Sequence, residues 1–108
     1  MALLTTTGTR SKRPHITPLV PLIDGGEIYV FASMGGAPKH PAWYHNLVAT
    51  PTVTVEHGTE KFAALAETVT GTERDELYAS QVAIRPVFGE YQGKTTRTIP
   101  VIRLKRQA

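Results

Sequence analysis

The sequence predicts a mainly β, α+β fold, a small antiparallel barrel with about two helices in its connections. Three observations carry that reading. The apolar stretches are short and rich in Val, Ile, Tyr, Phe and Thr. Tight-turn residues join most of them. They are not regularly separated by helical segments, which disfavours a doubly wound α/β sheet. With 108 residues, 41% apolar and 19% charged, residues 1–108 are read as one folded domain.

The elements follow in order. Leu3–Thr7 is apolar and Thr-rich and reads as the first strand. Ile16–Ile23 reads as a second, pushed toward an edge or a bulge because Pro18 and Pro21 donate no ladder hydrogen bond. Asp24-Gly25-Gly26 is a hairpin turn whose glycines are free to take positive φ, and Glu27–Ser33 follows as a strand. Pro41–Val48 is a short helix with Pro in its first turn, stopped by Thr50-Pro51. Thr52–His57 alternates Val53 and Val55 with polar residues, the period of a half-buried strand. Gly58-Thr59 turns the chain into its partner, Lys61–Thr68. Thr72 with Asp75 three residues on resembles a capping box for a helix reaching Ala83, with Leu77, Tyr78 and Val82 on one face. Val87–Thr95 is ambiguous, and Thr98–Leu104 is the last strand.

Composition removes several function classes. No apolar run is long enough for a membrane span, and the start lacks the regions of a secretory signal. The absence of cysteine excludes disulfides and thiolate metal sites, so a cytoplasmic location is expected. The net charge of +3 is unevenly spread. Arg10, Lys12, Arg13 and His15 cluster near the start and Arg97, Arg103, Lys105 and Arg106 near the end, whereas Glu56–Glu76 is acidic. One-sided basic clusters favour an anionic partner, although a solvated charged surface explains any single residue equally well. A nucleic-acid partner is not expected, because the basic strands lack interleaved aromatics.

Three segments could carry chemistry. Thr5–His15 concentrates a Gly, small hydroxyls and cations in a turn able to meet a phosphate, and it equally fits a solvated hairpin loop. Phe31–Leu47 runs from a strand through Gly35-Gly36 and Pro38 to Trp43-Tyr44. That order puts flexible backbone beside an aromatic wall, suited to a planar anionic ligand, while core packing remains the commoner use of such rings. Phe88–Gln92 could close over a pocket as a lid or pack against the barrel. His40 and His45 are five apart with no acidic neighbour between Gly35 and Thr50, which argues against a metal site. Ser11 and Ser33 lack a nucleophile-elbow context.

These pieces together resemble the deazaflavin-dependent nitroreductase family, actinobacterial oxidoreductases that use coenzyme F420. The resemblance runs through Leu3–Gly8, Ser11, Pro14, Thr17-Pro18-Leu19 and Asp24-Gly25-Gly26. It continues through Ala32-Ser33, Gly35–Lys39, Pro41, Trp43-Tyr44, Asn46-Leu47, Tyr91-Gln92, Arg97 and Ile99-Pro100-Val101. It implies a split β-barrel of the FMN-binding type and hydride transfer from reduced F420 to a quinone, an enone or a nitroaromatic. The protein then supplies position, charge and water exclusion. Carried across, Thr9, Arg10 and Ser11 meet the cofactor, the last two at its phosphate or oligoglutamate tail. His15, Ile16, Thr17, Pro18, Leu19 and Val20 line its linker. Phe31, Ala32, Ser33 and Met34 border the ring with Ala42, Trp43, Tyr44 and Asn46. Ser33 orients ring or substrate, and Tyr91 serves the substrate side.

The chain departs from the family pattern at Thr9, His15 and Met34, where relatives carry Arg, Arg and Lys, and at Phe88, often Tyr. The first three weaken positive charge where an anionic cofactor is expected. An FMN-binding barrel enzyme and a non-enzymatic F420 carrier are the alternatives. A homodimer and peripheral access to membrane quinones are compatible with the resemblance. Relatives' N-terminal helical segment has no counterpart before Leu3.

Overall fold

A computed structural model describes residues 1–107. Seven strands form one antiparallel sheet: β1 (Ala2–Thr7), β2 (Pro14–Leu19), β3 (Leu22–Asp24), β4 (Glu27–Phe31), β5 (Thr52–His57), β6 (Glu60–Val69) and β7 (Val101–Arg106). Three helices sit in the connections: α1 (Ala42–Ala49), α2 (Gly71–Ile84) and α3 (Val87–Gly93). A 3-10 turn covers Met34–Gly36. The spatial order is β2-β1-β5-β6-β7-β4-β3.

That order corrects the single strand expected over Ile16–Ile23. β2 and β3 are separate and occupy opposite edges of the sheet. Pro21 has no N–H to continue a ladder, so the strand breaks there. Only three peptide steps join Leu19 to Leu22, a reach of about 11 Å at full extension. The two sheet edges therefore meet at this corner, and the sheet must curl into a barrel left open along a seam. This is the split barrel that the resemblance implies.

The two hairpins form as expected. Gly25 and Gly26 take φ of 59° and 80° between paired Asp24 and Glu27, the two-residue turn that matches strand twist. Gly58 takes φ of 63° between His57 and Glu60. Other boundaries move. Residues 98–100 do not join the last strand, because side chains satisfy their backbone: Ile99 N–H donates to Gln92 Oε1, and Arg74 donates to the Ile99 carbonyl. Likewise β4 stops at Phe31, after which an arginine takes the Ala32 and Ser33 carbonyls. Helix α2 starts two residues before the expected capping box, from Thr70, and no side chain caps it. Asp75 pairs instead with Arg74 at 3.1 Å. The ambiguous Val87–Thr95 segment contains helix α3, and Pro41 precedes α1 as its N-cap.

β4 and β7 are buried on both faces and divide the core. Val30, Ile102 and Leu104 face a cluster with Leu4, Leu47, Val53 and Val55. Tyr29, Phe31 and Val101 face a second with Leu77, Tyr78, Phe88 and Ile99. Period-two alternation along each strand thus feeds the barrel interior and the α2–α3 layer at once.

Arg97 closes this frame. Its guanidinium donates to the carbonyls of Ala32, Ser33 and Ala37 at 3.1, 2.9 and 2.9 Å, and lies 3.0 Å from His40 Nδ1. Its own carbonyl accepts from Gln92 Nε2 of α3 at 2.8 Å. On the other side of the turn, a Cβ at Gly36 would sit 2.7 Å from the Tyr91 carbonyl, so only glycine lets α3 approach.

Gly36→Ala should therefore cost about 2–4 kcal/mol in denaturant unfolding, from left-handed backbone plus backbone collision. Gly25→Ala, which meets open space, should cost only about 1 kcal/mol. Equal losses would remove the close approach as the cause. Burial, then Arg97, then His45 hold the His40 pKa below its ordinary 6.5. The unfolded chain thus binds a proton the fold resists, and stability should be lost as pH falls through about 6.5. His40→Gln, which can still accept from Arg97, should flatten that part of the pH–stability curve.

Candidate functional site

Two cavities lie side by side and share Trp43 as a wall. The first, about 450 Å³, is lined by Gly8–Ser11, His15–Thr17, Ala42, Trp43 and Asn46. The second, about 390 Å³, is lined by Pro18–Val20 on one side and by Phe31, Ser33–Gly35, Pro41, Trp43, Phe88 and Tyr91 on the other. The barrel seam builds the second cavity, since Pro18–Val20 lead into the Pro21 corner.

The first cavity owes its shape to Asn46. This buried amide accepts from Thr9 N–H at 3.3 Å and donates to Thr6 Oγ1 at 3.2 Å, which fastens the 8–13 loop to α1. The loop closes on itself through Gly8 N–H to the Arg13 carbonyl at 2.9 Å. Ser11 Oγ lies 3.2 Å from His15 Nε2 and accepts from Arg13 N–H. Arg10, Lys12 and Arg13 are exposed and, among the described residues, form no ion pair.

The second cavity is apolar and ring-lined. Phe88 stacks edge-on against Phe31 and Tyr91, with centroids 5.6 and 5.3 Å apart. Phe88 is thus packed core, while half-buried Tyr91 borders the space; α3 is a fixed wall rather than a free lid. Ser33 is nearly buried, and among the described residues its hydroxyl has no hydrogen-bond partner. Met34 is half exposed at the rim, with φ of 46° in the left-handed region ahead of Gly35 and Gly36.

The structure brings together all but two of the residues expected at the site from the sequence. Ala32 is fully buried and contributes a carbonyl to Arg97 rather than a cavity surface. Tyr44 turns to the far side of α1, where it packs on His40 (centroids 4.9 Å) in another cavity with Arg74 and Thr98. Two of the C-terminal cations, Arg103 and Arg106, are not available to an anion either. Arg103 contacts Glu27, Glu67 and Glu73 at 2.9, 3.6 and 2.6 Å, and Arg106 bonds Glu60 at 2.6 Å. Sequence reading assigned no lining role to Gly8, Gly35 or Pro41. The Gly35-Gly36 pair was a usable signal for one of these, whereas nothing local marks Pro41 as a cavity wall.

Donor chemistry suits an elongated anionic cofactor with a flat ring. The free cation Arg10 and hydroxyls line one cavity, aromatic and aliphatic surface lines the next, and Trp43 lies between. A family model described as F420H(2)-dependent quinone reductase matches residues 1–106. The F420H(2)-dependent quinone reductase Rv1261c of Mycobacterium tuberculosis is 36% identical over 108 residues, spanning 97% of this chain and 72% of its own. A solved structure described as an F420-H2 dependent reductase (FDR-A) superposes with a TM-score of 0.88 at 39% identity, over 96% of this chain and 92% of its own. Another, described as a domain-swapped dimer, gives the same TM-score and identity and is covered to 78%. The chain therefore belongs to the F420H2-dependent quinone reductase family, oxidoreductases with a split-barrel fold whose cofactor is coenzyme F420 rather than FMN.

Proposed function

We propose that this chain reduces a quinone in the groove formed by its two adjoining cavities. The observation that carries the reading is their shared wall at Trp43, with the unpaired Arg10 on one side and an apolar, ring-lined space on the other. Arg10 and Ser11 hold the anionic tail, with Thr9 and His15 beside them. Pro18, Leu19 and Val20 cover the linker. Phe31, Ser33, Met34 and Trp43 border the ring, with Ala42 and Asn46 shaping the junction. Bound reduced F420 supplies a hydride, a two-electron donor matched to a quinone.

The chain's own work is to position, shield and orient. Ser33 Oγ, lacking an internal partner, is free to hydrogen-bond a ring or acceptor oxygen. Tyr91 borders the acceptor side, and Phe88 and Phe31 exclude water there. Enones and nitroaromatics offer the same electrophilic character and are secondary acceptors in this reading. Half-exposed Met34 at the rim is compatible with a lipophilic acceptor entering from a membrane surface. A homodimer is part of the same proposal, supported by the similar structure described as a domain-swapped dimer.

Titration with F420 should give saturable quenching of its fluorescence, and the loaded protein should reduce a simple naphthoquinone. No quenching at high-micromolar protein would sink the proposal. Arg10→Gln should weaken binding about two- to fivefold, more at low salt, and Met34→Lys should strengthen it by a similar factor, the range of an exposed charge contact. Tyr91→Phe should raise the quinone KM about three- to tenfold while the F420 affinity stays put, since one hydrogen bond contributes about 1 kcal/mol. A shift in F420 affinity instead would move Tyr91 to the cofactor side.

A further inference from the structure

We propose that Arg97 is a positioning residue for the reduction: its guanidinium fixes the Ser33–Ala37 turn, and with it the hydrogen-bonding groups of that turn, at the ring-side cavity. The inference rests on the site reading above, because it assigns that cavity to the reacting partners. Arg97 itself does not line the cavity.

The hydrogen bonds divide in a telling way. Four carbonyls at the turn are used inside the protein. The Ala32, Ser33 and Ala37 carbonyls accept from Arg97, while the Ser33 and Met34 carbonyls accept from Gly36 and Ala37 N–H at 2.9 and 3.1 Å. The donors at its start are not: among the described residues, the amides of Ser33, Met34 and Gly35 meet no protein acceptor, and neither does Ser33 Oγ. Ser33 is right-handed (φ −77°, ψ −39°) and Met34 has positive φ, the succession in which consecutive amides converge on negative charge. The three residues whose donors are spare all line the ring-side cavity. Such groups can receive the oxygen on which negative charge gathers as a hydride arrives or leaves.

Holding this turn needs an arginine. Met34 in left-handed backbone carries about 1–3 kcal/mol of strain, and two glycines follow it, so the segment would relax without an external grip. A rigid planar fork reaches three carbonyls and the His40 ring at once, which a lysine ammonium on a flexible stem cannot. Gln92 anchors the fork to the helix that carries Tyr91, so one network registers both walls of the cavity.

Arg97→Lys and Arg97→Met decide the matter by two readouts. In the protein without cofactor, amide exchange at Gly36 and Ala37 should accelerate at least about tenfold in Arg97→Lys, while β5 amides keep their protection. In single turnover with F420H2 and a naphthoquinone, the reduction rate should fall about ten- to a hundredfold with the F420 dissociation constant within about threefold of the parent. Arg106→Gln, which removes a cation at the far end of β7, should leave both readouts unchanged. A parental rate in Arg97→Lys overturns the proposal, as does faster exchange spread evenly over β5, which would make Arg97 merely structural. If Arg97→Met does not fold, Arg97→Lys alone carries the test. Failure of the parent to quench F420 would sink the site reading instead, and the exchange data would still report on the turn.

Discussion

A corner two residues wide governs this molecule. Because Val20-Pro21 must connect the two outermost strands of a seven-stranded sheet, the sheet cannot lie open, and its edges are drawn together. Yet Pro21 cannot bridge them with a ladder bond, and the barrel stays split. The unclosed seam is where side chains of one edge face the turn after β4 across empty space. The ring-side cavity is thus a consequence of topology rather than of a dedicated insertion. An antiparallel sheet of this size that closed fully would fill its interior with side chains and leave no such recess.

The seam alone would be soft, and the structure stiffens it from outside the cavity. Helix α3 packs on the 3-10 turn through the missing Cβ of Gly36, and Arg97 grips the same turn from behind. Polar groups are spent on backbone there, which leaves the cavity surface itself largely apolar. Asn46 plays the equivalent part for the neighbouring loop. Arg97 sets where ligand-facing atoms lie without lining either cavity, whereas Asn46 both holds its loop and lines the first. Because other side chains do the holding, Thr9, His15 and Met34 can depart from the family pattern while the frame persists.

Much of the architecture was legible because local chemistry decided it. Gly25-Gly26 and Gly58-Thr59 demand tight turns, and Val53 and Val55 alternate as only a half-buried strand does. Ile16–Ile23 misled because its β-forming residues run on across Pro21, and nothing nearby says that the two halves go to opposite edges. Val87–Gly93 is too short for its helical period to stand out. At the site, the stretch from Ser33 to Asn46 was readable through its glycines, its aromatic pair and its resemblance to a family. The side of α1 on which Tyr44 falls was not, since that depends on where the helix docks. Arg97 read as surface charge because its partners lie 57 to 65 residues away.

The fate of the basic residues also bears on how quickly a ligand finds its place. With Arg103 ringed by three carboxylates and Arg106 held by Glu60, the far end of β7 is close to neutral at short range. Arg10, Lys12 and Arg13 keep their charge, and they stand on one loop at the mouth of one cavity. A polyanion diffusing past such a surface feels a field with a direction, so encounters are biased toward tail-first arrival. In the binding mode proposed above, the ring would then have only the width of Trp43 to travel to the seam, and a two-dimensional search over the protein surface would be reduced to a short slide along a groove.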